Sequence, residues 1–124
     1  NIKDAFVINV GVEFEIIVFK NFNNQVVLKQ CLEELKIYFG KDKWQINQPI
    51  IISEIYNAIG AIDGVQSVPN VKINNLVGQD LGYSPYKYDL DDATIKGIIY
   101  PSLDPSIFEV RFPNQDIKGK ITQY

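Results

Sequence analysis

The sequence predicts a two-layer α+β fold in which two helices pack on one face of a mixed sheet, with a β-hairpin near the C-terminal end. Three observations carry that expectation. Ala5 to Lys20 alternates with period two, Gln25 to Phe39 repeats its apolar residues at three- and four-residue spacings, and the order of elements lacks regular βαβ alternation. At 124 residues, 46% of them apolar, the chain is expected to form a single α+β domain over residues 1–124 with one core.

In the first segment Val10, Val12, Phe14, Ile16 and Val18 share one face, and Gly11, Glu13, Glu15 and Ile17 share the other. That is a long strand with one buried and one partly wet face. Asn21 to Asn24 form a turn, and Asn23 or Asn24 stands where an N-cap belongs. The helix that follows presents Val27, Leu28, Cys31, Leu32, Leu35 and Tyr38 or Phe39 as one stripe, with Lys29, Glu33, Glu34 and Lys36 toward water. Lys29 and Glu33 are spaced to pair, and Gly40 follows the helix end.

Trp44 to Ile51 reads as an extended edge segment interrupted by Pro49. Ser53 reads as the cap of a short helix with Ile55, Ile59 and Ile62 on one face, ended by Asp63-Gly64. Val65 to Val68 and Val71 to Ile73 form one strand or two short ones about Pro69. Gly78 to Gly97 shows no periodicity. Ile98 to Leu103 and Ile107 to Phe112 read as strands paired through the Asp104-Pro105-Ser106 turn. The tail from Pro113 to Tyr124 is polar and carries little signal.

Composition narrows the chemistry. The net charge is −3 and the basic residues are scattered from Lys3 to Lys120, with Lys41 and Lys43 close together, which disfavours nucleic acid as a partner. Histidine is absent, which removes the commonest metal ligand and general base and every Ser-His-Asp or Cys-His arrangement. The single cysteine, Cys31, excludes an intrachain disulfide and a multi-cysteine metal site. The run Phe6 to Val10 is too short for a membrane helix, so no membrane partner is expected. The chain starts at Asn1 and contains no methionine, which suggests a piece of a longer protein or a processed product.

Asp89, Asp91 and Asp92 form an acidic cluster, but the spacing lacks the glycine and distal glutamate of an EF-hand loop. A solvated loop accounts for it. Glu13 and Glu15 share a strand face without a pocket partner, so no acid/base pair is assigned. Cys31, on the apolar stripe, reads as core packing. Gly60 and Gly64 do not make a phosphate loop; Gly60 is expected to permit close helix packing and Gly64 to end the helix. Tyr83, Tyr86 and Tyr88, in the Gly78–Lys96 loop, admit two readings: an interface rich in tyrosine, or rings covering the core. No catalytic, cofactor-binding or metal-binding residues are assigned, and no cofactor is expected.

Two segments resemble a known family. The run Gln48-Pro-Ile-Ile-Ile-Ser-Glu-Ile-Tyr-Asn-Ala-Ile through Asp63-Gly-Val-Gln-Ser-Val is similar to the C-terminal part of baseplate J-like proteins, with the preceding helix ending at Tyr38-Phe39. Gly64, Val65 and Val68 match that family's Gly-Val step. The run from Gly97 through Tyr100-Pro101, Asp104-Pro105 and Phe112-Pro113 to Gly119 resembles the end of the larger baseplate wedge subunit of contractile-tail bacteriophages.

The resemblance implies a C-terminal domain of a baseplate wedge subunit, a non-catalytic structural protein. Its implied partners are copies of itself, as a homodimer, and other wedge subunits in the ring around the tail hub. Its implied location is the virion tail baseplate, after assembly in the host cytoplasm. A stand-alone ligand-binding or regulatory module of α+β type is the alternative, and an enzyme resting on carboxylates, tyrosines or lysines is the weakest.

Overall fold

In a computed structural model, residues 6–40, 44–102 and 104–122 are described. The expectations attached to Ala5, Lys41, Lys43, Leu103 and Tyr124 lie outside those residues. The α+β class holds. A strand β1, Phe6–Val18, is the axis of the molecule. Its even-numbered side chains Ile8, Val10, Val12, Phe14 and Ile16 are at most 2% exposed, which makes them the floor of the core. Each such side chain contributes roughly 1.5–3 kcal/mol by burial, more than any cap or surface pair supplies.

Two helices close over that floor. The helix α1, Asn24–Tyr38, is capped by Asn23, whose side-chain oxygen accepts the Val26 amide at 3.1 Å. It buries Val27, Cys31 and Leu35. Glu33 pairs with Lys36 at 3.2 Å rather than with Lys29. The helix α2 follows the two-residue strand β2, Ile50–Ile51, and spans Ile52–Gly60, burying Ile55 and Ile59. Its cap position is Ile51, which has no side-chain hydrogen bond; Ser53 lies inside the first turn instead. Gly60 is exposed and a Cβ there would meet nothing within 4 Å, so it does not serve helix packing. The helix is followed by Gly64 in a left-handed turn (φ +96°) that leads into the next strand.

That strand, β3, runs unbroken from Val65 to Asn75, antiparallel to β1. Pro69 does not interrupt it. The register passes from Glu15–Asn70 to Ile17–Ser67, so β3 carries an extra residue there, and Pro69 sits in the bulge of an edge strand.

The C-terminal pairing differs from the expected hairpin. Among the described residues, 98–102 do not pair with 107–112; Leu103 lies outside them. A hairpin forms earlier, between β4, Thr94–Ile95, and β5, Ile98–Ile99, and β5 also pairs with β2 in a separate three-stranded sheet. The two-residue connection Lys96-Gly97 has positive φ at both positions (52° and 79°), the turn geometry that suits the twist of a tight hairpin. The Asp104-Pro105 corner instead delivers β6, Ser106–Glu109, to β1, in parallel alongside Phe6–Asn9.

The tail holds two further elements. A single helical turn α3, Pro113–Asp116, leads into β7, Ile117–Ile121, which lies parallel to Val12–Ile16 on the same side of β1 as β6. Gly119 is the reason β7 can lie there. It faces Phe14 in the register, and a Cβ at this position would fall on the Phe14 ring. The four-stranded sheet is therefore β3-β1 followed by β6 and β7 in succession along one edge. The buried apolar residues of both layers and of the small sheet, Ile50 and Ile99 included, form one cluster.

Candidate interaction surface

The long connection between β3 and β4 is clasped to the sheet at several points. Asn9 is the hub. It is 1% exposed in an otherwise apolar stretch. Its Oδ1 accepts the Ser84 amide at 2.7 Å, and its Nδ2 donates to Glu109 Oε1 at 2.9 Å. The Asn9 carbonyl also accepts from the Leu76 amide (2.8 Å) and from Asn75 Nδ2 (3.0 Å). Asn75 in turn accepts the Tyr88 amide at 2.9 Å. Leaving a buried amide side chain unpaired costs roughly 1–3 kcal/mol, so these partners fix the path of the loop. The sequence signal for Asn9 was only a polar residue within Phe6 to Val10.

All three tyrosines of that loop make contacts inside the chain. The Tyr83 hydroxyl donates to Asp116 Oδ1 at 2.7 Å, and its ring meets Phe112 edge-on. Tyr86 stacks on Phe6 at 4.8 Å between centroids. Tyr88 packs against Phe108 and donates to the Tyr100 carbonyl oxygen at 2.7 Å. Burial raises the pKa of Tyr83 and Tyr88 above the ordinary tyrosine value, with Asp116 adding to the shift at Tyr83 and Tyr86 and Asp92 at Tyr88. Of the two readings of the loop, rings folded over the sheet matches this arrangement.

The acidic candidates are distributed rather than convergent. Asp89 Oδ1 accepts the Asp92 amide at 3.0 Å, which makes it the first residue of a turn. Among the described residues, no three carboxylate or thiol side chains converge as a cation site would need. Glu13 and Glu15 lie on the polar face of β1, far along the strand from Asn9. Glu13 accepts from Asn74 Nδ2 at 2.8 Å, and Glu15 pairs with Lys120 at 2.9 Å. Cys31 is wholly buried, and burial pushes its thiol up to about 11. Such a thiol is a small core residue without thiolate character at neutral pH.

The end of α1 carries a second structural cluster. Trp44 stacks on Phe39 at 5.5 Å and donates from Nε1 to the Tyr38 carbonyl oxygen at 3.0 Å. The Tyr38 hydroxyl donates to Glu54 Oε1 at 2.7 Å, joining α1 to α2. Burial raises the Tyr38 pKa, and the Glu54 carboxylate raises it further.

Open depressions mark the surface of the described residues. A depression of about 690 Å³ lies at the end of β1 and the start of α1, between Phe19, Phe22, Gln66 and Thr122. Phe19 and Phe22 are 45% and 40% exposed at its rim. A smaller one, about 260 Å³, runs over the polar face between Glu13, Glu15, Lys72, Lys118 and Lys120. A depression rimmed by half-exposed rings with polar neighbours is suited to contact with another macromolecule. No helix of the described residues is long and apolar enough to cross a membrane. No family model matches the chain, and no curated protein matches it in sequence.

Proposed function

We propose that this chain is a structural assembly domain of a contractile-tail baseplate, part of a wedge subunit that contacts copies of itself and other wedge subunits without catalysing a reaction. The observation that carries the reading is the resemblance of Gly97 to Gly119 to the end of the larger wedge subunit. That run builds β5 of the small sheet, then β6, α3 and the first three residues of β7, and β6 and β7 lie along one edge of the central sheet. The other resembling run, Gln48 to Val68, builds β2, α2 and the start of β3. The half-exposed rings of Phe19 and Phe22 support a contact surface of the kind such a domain needs.

The test is location in the particle. Antibody against the chain should decorate the baseplate end of purified contractile tails, and peptides of the chain should be recovered from those tails by mass spectrometry. A chain absent from purified tails contradicts the proposal. The volume of the larger depression, about 690 Å³, favours one second reading, a module that binds a small molecule. A thermal-shift screen in which a metabolite stabilises the chain, and Phe22→Ala removes the effect, would support that reading instead.

A further inference from the structure

The edges of the central sheet are not alike. Along β3, the outward amide of Val71 is bonded to the Tyr56 hydroxyl at 3.1 Å, and Pro69 in the bulge has no amide to offer. Along β6, Asn47 takes up Ser106 from both directions. Its amide donates to the Ser106 carbonyl at 2.8 Å and its side-chain oxygen accepts the Ser106 amide at 3.3 Å. Both are ways of closing an edge to further pairing.

Among the described residues, no hydrogen bond closes the outer edge of the remaining strand, β7. The bond from the Thr122 amide to the Ile16 carbonyl (2.8 Å) sets the parity of the pairing. Lys118 and Lys120 turn their backbone groups toward β1, and Gly119 and Ile121 turn theirs away. Among the described residues β7 pairs with β1 alone, and the outward backbone groups of Gly119 and Ile121 have no hydrogen-bond partner.

Charge gives that edge a preference. Across the polar face the register sets Lys72 beside Glu13 beside Lys118, and Asn70 beside Glu15 beside Lys120. The Lys120 side chain, paired with Glu15, is still 70% exposed. Each row therefore ends on a lysine at the open edge. A strand added there with carboxylates opposite Lys118 and Lys120 would continue the alternation of sign, and opposite charges on neighbouring strands stabilise pairing.

We infer that the free edge of β7 receives an extended segment of a partner protein that carries acidic residues at alternate positions, added to the sheet as a further strand. The inference rests on the reading of the chain as an assembly domain and names one of its contact surfaces and the chemistry of the segment that fits it.

The test uses the whole chain, isotopically labelled, and a short blocked peptide alternating valine and glutamate. Amide resonances of Ile117, Gly119 and Ile121 should shift saturably as the peptide is added. The double charge reversal Lys118→Glu/Lys120→Glu should weaken binding about tenfold or more. A peptide with lysine in place of glutamate should not bind. N-methylation of the peptide amides that face β7 should abolish binding. That arm leaves the protein unaltered, so it decides the matter even where the charge-reversed variant fails to fold. No saturable shift, binding indifferent to N-methylation, or shifts centred on Phe19 and Phe22 would overturn the inference and reduce the two lysines to guards against aggregation. Light scattering on the free chain separates the two proposals. A self-associating chain that ignores the peptide loses only this inference, whereas a chain absent from purified tails loses the proposed function.

Discussion

Replacing Tyr83 with Phe removes one oxygen and leaves the ring against Phe112. The oxygen matters because of what it serves. Asp116 is 6% exposed, its Oδ1 accepts the Tyr83 hydroxyl at 2.7 Å, and its Oδ2 has no hydrogen-bond partner among the described residues. Without the hydroxyl, neither carboxylate oxygen keeps a side-chain donor. A hydrogen bond to a charged acceptor contributes about 1.5–3 kcal/mol, and the buried carboxylate makes the upper half of that range the expectation. For a chain of this length, about 2.5 kcal/mol lowers Tm by roughly 10 °C. Urea unfolding followed by circular dichroism measures the loss. Tyr83→Phe/Asp116→Leu should recover at least half of it, because no unpaired charge is left behind. A Tyr83→Phe chain within about 0.5 kcal/mol of the parent would refute the reasoning. The loop would then not be clasped by this bond, and its tyrosines would be free to serve an interface.

Other consequences follow from single residues. Burial holds the Cys31 thiol at about 11, above its ordinary value of 9.0, so the folded state keeps a proton that the unfolded chain loses first. That contribution, on the order of 2–3 kcal/mol, is fully present below pH 9 and is lost as pH rises toward 11. Urea midpoints should fall across that window, and Cys31→Ala should flatten the fall. Asn23→Ala removes the cap of α1 and should lower stability by about 1 kcal/mol in the same assay. Gly119→Val drives a branched side chain into the Phe14 ring and should cost at least 1–3 kcal/mol, roughly the range for overpacking. Gly60→Ala meets open space at the end of a helix and should raise stability by up to about 1 kcal/mol. Equal effects at the two glycines would contradict the packing described for β7.

The elements read correctly from sequence are those with strong local signals. β1 alternates cleanly, and α1 has a capping Asn23, a continuous stripe through Cys31 and Leu35, and Gly40 past its end. The elements misread are those whose pairing is decided at long range. Ile117-Lys-Gly-Lys-Ile alternates as a strand should, but Gly119 hides the pattern, because the volume at that position comes from Phe14 on the neighbouring strand. The Asp104-Pro105 corner reads as a hairpin turn, and only the packing of β6 beside Phe6–Asn9 sends the chain elsewhere. Pro69 reads as a break because nothing local announces the bulge that accommodates it. The clasp made by Asn9, Asn75 and Ser84 joins residues up to 75 positions apart, so no window along the chain contains it. Cys31 was legible as a core residue, because burial on an apolar stripe is a local property, whereas the turn that Asp89 opens was not read from the aperiodic loop.

The claim on which the account depends is that this chain exists to adhere to other protein chains, its own copies among them. Sedimentation equilibrium of the purified chain, from micromolar to high concentration, measures that directly. The account predicts a weight-average mass that climbs from one chain toward two as concentration rises, and a return toward one chain when Phe19 and Phe22 are replaced by Ser. A mass that stays at one chain throughout, with the parent and the variant indistinguishable, would contradict it.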